Sequence, residues 1–292
     1  MDQAERLRQL VWKQQTAPTV LKAKNKSRVI TVTSGKGGVG KTSLVVNLAI
    51  ALSLLGKRVM VLDADLGLAN VDIMLGLLPQ HTLHDVVRGT KSLADIALDG
   101  PAGIRLLPGG SGLSELADLG EKQRKALIDK LAALEESADI LLIDTGAGLS
   151  RTVLSFVAAA DEMLLITTPE PTAIRDAYGM VKVAATQQLQ QKIGLVVNLI
   201  SSEREGKEIA ERLLTVSQQF LQVELQYLGG IRADAHVVTA VKQQQPFYLH
   251  SPRCRAAGNI RQIAGALLSL PPEQPRGFSG FFNRLAQLWD KV

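Results

Sequence analysis

Residues 29–42 read VITVTSGKGGVGKT, an apolar run followed by a glycine-rich loop, and this stretch decides the fold. The loop from Gly35 to Thr42 satisfies G-x-x-x-x-G-K-[ST], the pattern of a phosphate-binding loop that joins a strand to a helix. Its glycines let the backbone approach phosphate oxygens, and the free N–H groups of the helix point at them. In such loops Lys41 reaches the β- and γ-phosphates and Thr42 binds Mg²⁺.

Short apolar runs alternate with helical stretches from Arg28 onward. Runs that are apolar throughout are typical of parallel strands covered on both faces. The alternation predicts an α/β fold with a doubly wound, mainly parallel sheet, whose ligands bind at the carboxyl ends of the strands. The predicted strands are 29–34, 58–63, 104–108, 139–144, 162–168, 193–200 and 225–230, and the predicted helices include 41–56, 121–137, 172–189 and 204–221.

The composition bounds the class of protein. Of 292 residues, 46% are hydrophobic and 21% charged, which suits a globular domain. No apolar run approaches the roughly 20 residues of a transmembrane helix, and the first residues lack the apolar core of a signal peptide. One cysteine, Cys254, excludes a disulfide within the chain and suits a reducing compartment. We therefore expect a cytoplasmic protein.

The net charge of +5 comes from one end of the chain. Seven cations and two anions lie in residues 1–28, so residues 29–292 sum to zero. A basic face on the folded body is therefore not implied, and we expect no specific binding to nucleic acid. The predicted parts are an N-terminal helix and flexible linker (1–27), a nucleotide-binding domain (28–270), and a proline hinge with a separate amphipathic helix (271–292).

The loop carries a second lysine, Lys36, and its KGGVGKT core resembles the deviant Walker A family, which includes MinD, ParA and the flagellar regulators of the FlhG (FleN, YlxH) type. The resemblance implies ATP or ADP with Mg²⁺, and an ATP-dependent homodimer in which Lys36 reaches the partner's nucleotide. Such a cation stabilises charge on the transferring phosphoryl group. The alternative is a solvated surface lysine. The implied nucleotide contacts are Gly35, Lys36, Gly37, Gly38, Val39, Gly40, Lys41, Thr42 and Ser43.

Two aspartates follow the second predicted strand in the segment Asp63-Ala64-Asp65. The resemblance implies that Asp65 orients the attacking water, so that the implied catalytic residues are Lys36, Lys41 and Asp65. It also places Asp63 nearer the hydration shell of the metal. The alternative for both aspartates is a loop carboxylate that caps the next segment.

Asp144 ends the apolar run DILLID and precedes the segment TGAG at 145–148. An apolar strand that ends in aspartate is the Walker B pattern, which holds Mg²⁺, usually through water. Gly146 and Gly148 permit the backbone to approach the γ-phosphate and to move after hydrolysis. The predicted metal ligands are therefore Thr42, Asp63 and Asp144.

Asn198 ends another apolar run, where the resemblance implies that an asparagine reads the adenine edge. Relatives such as MinD have arginine after it, whereas this chain has Leu199. Asp234, in the segment IRAD at 231–234, matches a second loop beside the base. The alternative for Asp234 is the N-cap of a helix.

Two terminal features resemble the flagellar branch of the family, as does the stretch at 63–89. The first residues resemble a motif that stimulates a GTPase of the FlhF type. The resemblance also implies flagellar C-ring proteins and a flagellar master transcription regulator as partners, in a protein that controls flagellar number and placement. The alternative is an ordinary N-terminal helix. The residues of the motif are Asp2, Gln3, Ala4, Leu7 and Arg8.

The tail after Pro275 has apolar residues at helical spacing, with Arg284 and Lys291 beside them. An aromatic amphipathic helix after prolines is typical of an interfacial anchor on an anionic membrane, here the inner face of the cell membrane. The alternative is a helix packed in a groove of its own domain, and the two arrangements can belong to two nucleotide states. The predicted membrane contacts are Phe278, Phe281, Phe282, Leu285, Leu288 and Trp289.

The resemblance thus implies an ATPase switch that hydrolyses ATP to ADP and phosphate, and three other functions are alternatives to it. An iron–sulfur carrier on this fold uses paired cysteines, and one cysteine per chain argues against it. A ParA-like partition ATPase that binds DNA non-specifically predicts a basic body and a steep salt dependence. A scaffold without ATPase activity would lack Lys41 or Asp65. The spacing of His81 and His84 does not suggest a metal site, and Cys254 is expected to be structural.

Overall fold

The strands at the centre of the molecule form one twisted sheet. A computed structural model of the protein describes residues 26–65, 70–110, 112–115, 119–187, 189, 192–270 and 275–289. Within these residues the sheet has eight strands in the order β3-β4-β2-β5-β1-β6-β7-β8. All neighbouring strands are parallel except β3 and β4. The doubly wound, mainly parallel sheet predicted from the sequence is confirmed.

The element bounds are as follows. The strands are β1 (Arg28–Thr33), β2 (Val59–Ala64), β3 (Leu98–Asp99), β4 (Arg105–Pro108), β5 (Ile140–Thr145), β6 (Glu162–Thr167), β7 (Lys192–Ile200) and β8 (Leu225–Arg232). The helices are α1 (Lys41–Leu54), α2 (Val71–Leu75), α3 (Leu83–Val87), α4 (Leu93–Ile96), α5 (Gly112–Glu115), α6 (Glu121–Ala133), α7 (Arg151–Ala159), α8 (Pro171–Thr186), α9 (Glu203–Leu221), α10 (Ala235–Lys242), α11 (Phe247–His250), α12 (Arg255–Ser269) and α13 (Gly277–Trp289). Short 3₁₀ turns span Pro101–Gly103 and Leu134–Ser137.

The seven predicted strands lie within two residues of their expected bounds. Three predicted helices end earlier than expected. The segment 41–56 ends at Leu54, the segment 121–137 is α-helical only to Ala133 and closes in a 3₁₀ turn, and the segment 172–189 ends at Thr186. Strand β3 was missed because it has only two residues, too few for a hydrophobic period.

The core lies on both faces of the sheet because successive strand residues point in opposite directions. In β5, Ile140 and Leu142 pack on the face covered by α1 and α12. Leu141 and Ile143 pack on the other face, which is covered by α6, α7 and α13. A third cluster joins α8 and α9 to β6 and β7. Burial on both faces explains why the strands are apolar throughout.

Helix α13 packs against this core, which is the alternative considered for the tail. Four of its large apolar side chains are almost fully buried: Phe278, Phe281, Phe282 and Leu285. Leu288 and Trp289 are partly buried against the same cluster. The ring of Phe156 in α7 lies 6.3 Å from that of Phe281 and meets that of Trp289 edge-on at 6.0 Å. The apolar face of α13 is therefore packed against the protein core in this structure.

The N-terminal helix and the motif of Asp2, Gln3, Ala4, Leu7 and Arg8 lie outside the described residues. Among the helices that are described, none is long and apolar enough to span a bilayer.

Candidate nucleotide-binding site

The glycine-rich loop connects β1 to α1 at the carboxyl edge of the sheet, as the motif requires. Gly40 precedes α1 with φ of 93°, a left-handed conformation that favours glycine. A Cβ atom there would also collide with the amide nitrogen of Asn198. That amide donates to the carbonyl oxygen of Val39 at 2.8 Å. The loop is therefore held against β7 by a contact that only glycine permits.

Thr42 and Asp144 meet beneath the loop. The Thr42 hydroxyl donates to Oδ2 of Asp144 at 2.7 Å. Oδ1 of Asp144 is buried and has no hydrogen-bond partner among the described residues. Burial raises the pKa of Asp144 to about 7, while the Thr42 hydrogen bond and the charge of the buried Lys41 act in the opposite direction.

This donor set fits a magnesium ion. Mg²⁺ prefers oxygen ligands and is usually bound by one or two carboxylates together with substrate phosphates and water. Thr42 supplies a hydroxyl, and Asp144 supplies a carboxylate with one unused buried oxygen. An ion held here would also compensate the buried charge of Asp144.

Asp63 anchors the loop that follows β2. Its carboxylate accepts backbone N–H groups of Asp65, Asn70 and Val71, each at 3.2 Å. Burial raises the pKa of Asp63 to about 6, and these hydrogen bonds oppose the shift. The capping alternative considered for Asp63 is therefore observed. Asp63 also lies beside Asp144 in the register of β2 and β5, so it remains next to the candidate metal position.

Asp65 lies beside the segment after β5. A Cβ atom on Gly146 would stand 3.6 Å from Oδ1 of Asp65. The backbone N–H of Gly148 donates to the carbonyl of Ser34, at the start of the phosphate loop, at 2.9 Å. The structure thus brings together the phosphate loop, Asp65 and the segment after β5 that contains Gly146 and Gly148. Residues 66–69 lie outside the described ranges.

Lys36 extends from the loop toward α8. Its ammonium group lies 2.5 Å from Oε1 of Glu170 and 3.1 Å from the hydroxyl of Thr172. The Lys36 hydrogen bond holds the pKa of Glu170 below its usual value. Sequence reasoning missed Glu170 and Thr172, although the segment TTPEPT at 167–172 marks the carboxyl end of β6, where ligands of this fold bind.

A cavity of about 380 Å³ opens beside the loop. Its lining includes Asn198 and Leu199 from β7 and Val237 and Val238 from α10. Leu199 has φ of 59° at a β-bulge between Asn198 and Ile200. Bulges of this kind re-aim side chains near binding sites. The lining residues that the sequence analysis did not single out are mainly apolar: Leu44, Ile231, Ala233, Val237, Val238, Phe247 and Ile260.

Asp234 lines this cavity and also holds two helices. Its Oδ1 accepts the backbone N–H of His236 at 3.0 Å and so caps α10. Its Oδ2 accepts the N–H of Arg255 at 3.0 Å, at the start of α12. These contacts are the N-cap alternative considered for Asp234, and they fix the cavity wall.

Cys254 caps α12. Its sulfur accepts the N–H of Ala257 at 3.4 Å, and burial raises the pKa of the thiol. A raised pKa leaves less thiolate and makes the thiol less reactive. His84 pairs with Glu115 at 2.6 Å. In the part of the chain that is described, no group of three His, Cys, Asp or Glu residues is arranged to hold a metal ion.

The fold and this loop define a P-loop nucleotide-binding protein. The model of the CobQ/CobB/MinD/ParA nucleotide binding domain matches residues 30–247, and the chain belongs to this family of P-loop ATPases. It is similar to the antiactivator FleN of Pseudomonas aeruginosa, with 44% identity over 262 residues that cover 89% of this chain and 94% of FleN.

Two further similarities agree with this assignment. The flagellum site-determining protein YlxH of Helicobacter pylori is 34% identical over 272 residues, which cover 90% of each chain. The septum site-determining protein MinD of Pyrococcus horikoshii, solved as a complex with Mg-ADP, superposes with a TM-score of 0.66 at 25% identity. That match covers 82% of this chain and 96% of the MinD chain. The family predicted from KGGVGKT is confirmed.

Proposed function

We propose that the protein is an ATPase switch that dimerises around ATP, separates after hydrolysis and controls flagellar number and placement. The observation that carries the proposal is the phosphate loop itself, with Lys36, Lys41 and Thr42 beside the buried Asp144. Similarity to FleN and YlxH along nearly the whole chain supports the flagellar role.

In the proposed reaction a water attacks the γ-phosphorus of ATP and the bond to the β–γ bridging oxygen breaks, which yields ADP and phosphate. Asp65 orients the water, and Lys41 stabilises negative charge on the phosphates. Thr42 and Asp144 are the residues that would hold Mg²⁺, with Asp63 acting on its hydration shell. Bound there, the ion would neutralise charge on the β- and γ-phosphates.

The base is proposed to occupy the cavity beside Asn198. Because the Asn198 amide nitrogen donates to Val39, its carbonyl oxygen remains as an acceptor for the exocyclic amine of adenine. Guanine presents an oxygen at the same position, so this geometry favours ATP. Leu199 gives this part of the cavity an apolar wall in place of the arginine of its relatives. Asp234 shapes the wall through α10 and α12.

Dimerisation is proposed to move Lys36 from Glu170 to the nucleotide of a second copy. An exposed ion pair contributes about 0–1 kcal/mol, and the Lys36 side chain is 37% exposed. The triphosphate of the partner offers more negative charge in a site that excludes water. We therefore expect that the Glu170 pair does not prevent the exchange.

Membrane association is proposed to require release of α13. Each fully buried large apolar side chain contributes about 1.5–3 kcal/mol, and α13 buries four of them. The helix should therefore leave its groove only when another apolar environment receives it, such as the interior of an anionic bilayer. A dimer would present two helices, which links membrane binding to ATP. The proposed location is the cytoplasm and the inner face of the cell membrane.

The proposed partners follow from the flagellar branch. They are an FlhF-type GTPase stimulated by Asp2, Gln3, Ala4, Leu7 and Arg8, flagellar C-ring proteins, and a flagellar master transcription regulator. Omission of residues 2–8 should abolish stimulation of the GTPase and leave the protein's own ATP hydrolysis unchanged. Stimulation that survives the omission would refute the role of the motif.

The second candidate function is that of a ParA-like DNA partition ATPase. The neutral charge of residues 29–292 disfavours it. Co-sedimentation with anionic liposomes under ATP and ADP, with and without residues 277–292, separates the two functions. The switch proposal expects ATP-dependent binding that needs these residues. Salt-sensitive DNA binding without liposome binding would support the partition function instead.

A further inference from the structure

Two carboxylates, Asp161 and Glu135, contact both the start of β1 and the start of α13. They lie at the amino ends of the parallel strands, opposite the phosphate loop. Asp161, just before β6, accepts the backbone N–H of Val29 through Oδ2 at 3.0 Å. Its other oxygen, Oδ1, accepts the backbone N–H of Arg276 at 2.9 Å. One side chain therefore holds the start of β1 and the segment that leads into α13.

Glu135 makes a second connection of the same kind. Its Oε1 accepts the backbone N–H of Ser27 at 3.0 Å, and the Ser27 hydroxyl donates to the carbonyl of Ala138 at 2.6 Å. The same carboxylate packs against Gly277, the first residue of α13, where a Cβ atom would collide with it. Gly277 also has φ of 75°, so glycine is required there for two reasons.

We propose that Glu135 and Asp161 form a carboxylate latch. The latch couples helix α13 to Ser27 and Val29, where the N-terminal segment joins β1. Release of α13 removes Arg276 and Gly277 from the latch and exposes the two half-buried carboxylates more fully to water. Their hydrogen bonds to Ser27 and Val29 then compete with solvent and weaken. Any condition that releases α13 from its groove therefore also weakens the hydrogen bonds that hold Ser27 and Val29.

The coupling must work in both directions. When release of one element weakens the hold on a second, linkage requires that release of the second weakens the hold on the first by the same factor. The inference goes beyond the proposed function, in which the N-terminal segment and helix α13 act separately. It needs neither nucleotide nor membrane, so its test is independent of the ATPase proposal.

The test perturbs one side of the latch and measures the other in the full chain. Arg276→Pro removes the N–H that Asp161 accepts, whereas the matched control Arg276→Ala keeps it. The readout is hydrogen exchange of the peptide that contains the amides of Ser27 and Val29. We expect roughly tenfold faster exchange in Arg276→Pro, because a hydrogen bond to a charged group changes an equilibrium by about that factor or more. Arg276→Ala should exchange like the wild type.

The reverse measurement uses Trp289, whose ring contacts Phe156. With Trp12→Phe as background, Trp289 is the only tryptophan in the chain. Glu135→Ala removes the acceptor of the Ser27 N–H, and Glu135→Gln keeps an oxygen in place. We expect Glu135→Ala to increase quenching of Trp289 by acrylamide and Glu135→Gln to change it little.

The exchange and the quenching measurements together decide whether the latch exists. Far-ultraviolet circular dichroism should remain that of the wild type in all four variants. Gly277→Ala gives an additional variant that disturbs the junction with the smallest added group, and we expect it to change both readouts. If Arg276→Pro exposed Trp289 but left exchange at Ser27 and Val29 unchanged, the latch would be refuted. Unchanged Trp289 quenching in Glu135→Ala would refute it as well.

Discussion

At the scale of single residues, the buried pair of Thr42 and Asp144 determines how the candidate site can work. One oxygen of Asp144 is satisfied by Thr42, and within the described chain the other has no partner. A buried carboxylate in this condition favours its neutral form unless a cation compensates the charge. The Walker B pattern predicted the place of Asp144, whereas its burial and raised pKa depend on packing by neighbouring strands.

Stability without nucleotide should depend on pH through Asp144. Burial raises its pKa to about 7, above the value of 3.8 for a free aspartate. The folded protein therefore prefers the neutral carboxyl of Asp144. The stabilisation that this neutral form gives is fully present below pH 3.8 and is lost as the pH rises through 7. We expect the free energy of unfolding to fall by on the order of 1–3 kcal/mol between pH 5.5 and 8.

Urea unfolding of the wild type and Asp144→Asn at both pH values measures this effect. The asparagine variant cannot ionise, so it should lose less stability over the same interval. Equal losses in the two proteins would show that Asp144 does not titrate as its burial implies.

Asp65→Ala should separate binding from chemistry. The variant keeps the phosphate loop, so we expect it to bind ATP and dimerise while hydrolysis falls by about 10²-fold or more. Phosphate release and sedimentation with ATP measure the two properties. Asp99→Ala, on a carboxylate with a 94% exposed side chain, is the control and should retain full activity. Wild-type turnover in Asp65→Ala would refute its role.

At the scale of helices and strands, a sequence pattern predicts the structure only when a single arrangement can produce that pattern. Continuous apolar runs between glycine-rich turns predicted β1 and β5, since buried parallel strands have that pattern. The stripe of α13 did not decide between a membrane and a protein groove, because both cover one face of a helix. The contact of Lys36 with Glu170 joins residues 134 apart and has no local signal.

The docked helix should contribute to folding stability. Phe281 is fully buried against Phe156, so Phe281→Ala should reduce the free energy of unfolding by about 3–5 kcal/mol. Gln287→Ala changes an exposed position of the same helix and should have little effect. Denaturant unfolding without lipid distinguishes the two substitutions. Equal stabilities would mean that α13 is not docked in solution.

At the scale of the whole molecule, the two edges of the sheet have different roles. The carboxyl edge holds the phosphate loop, Asp65 and the cavity beside Asn198. The amino edge holds the carboxylate latch and the start of α13. The central proposal connects them: two copies close over a pair of triphosphates, and this closure determines when the terminal elements become available.

Sedimentation velocity with Mg·ATP and with Mg·ADP tests this proposal most directly. The wild type should form a dimer with ATP and remain monomeric with ADP, because closure requires the γ-phosphate. Lys36→Ala should bind ATP and remain monomeric, whereas Lys57→Ala, on an exposed lysine between α1 and β2, should behave like the wild type. A wild-type protein that stays monomeric with Mg·ATP, or a Lys36→Ala variant that dimerises normally, would contradict the account.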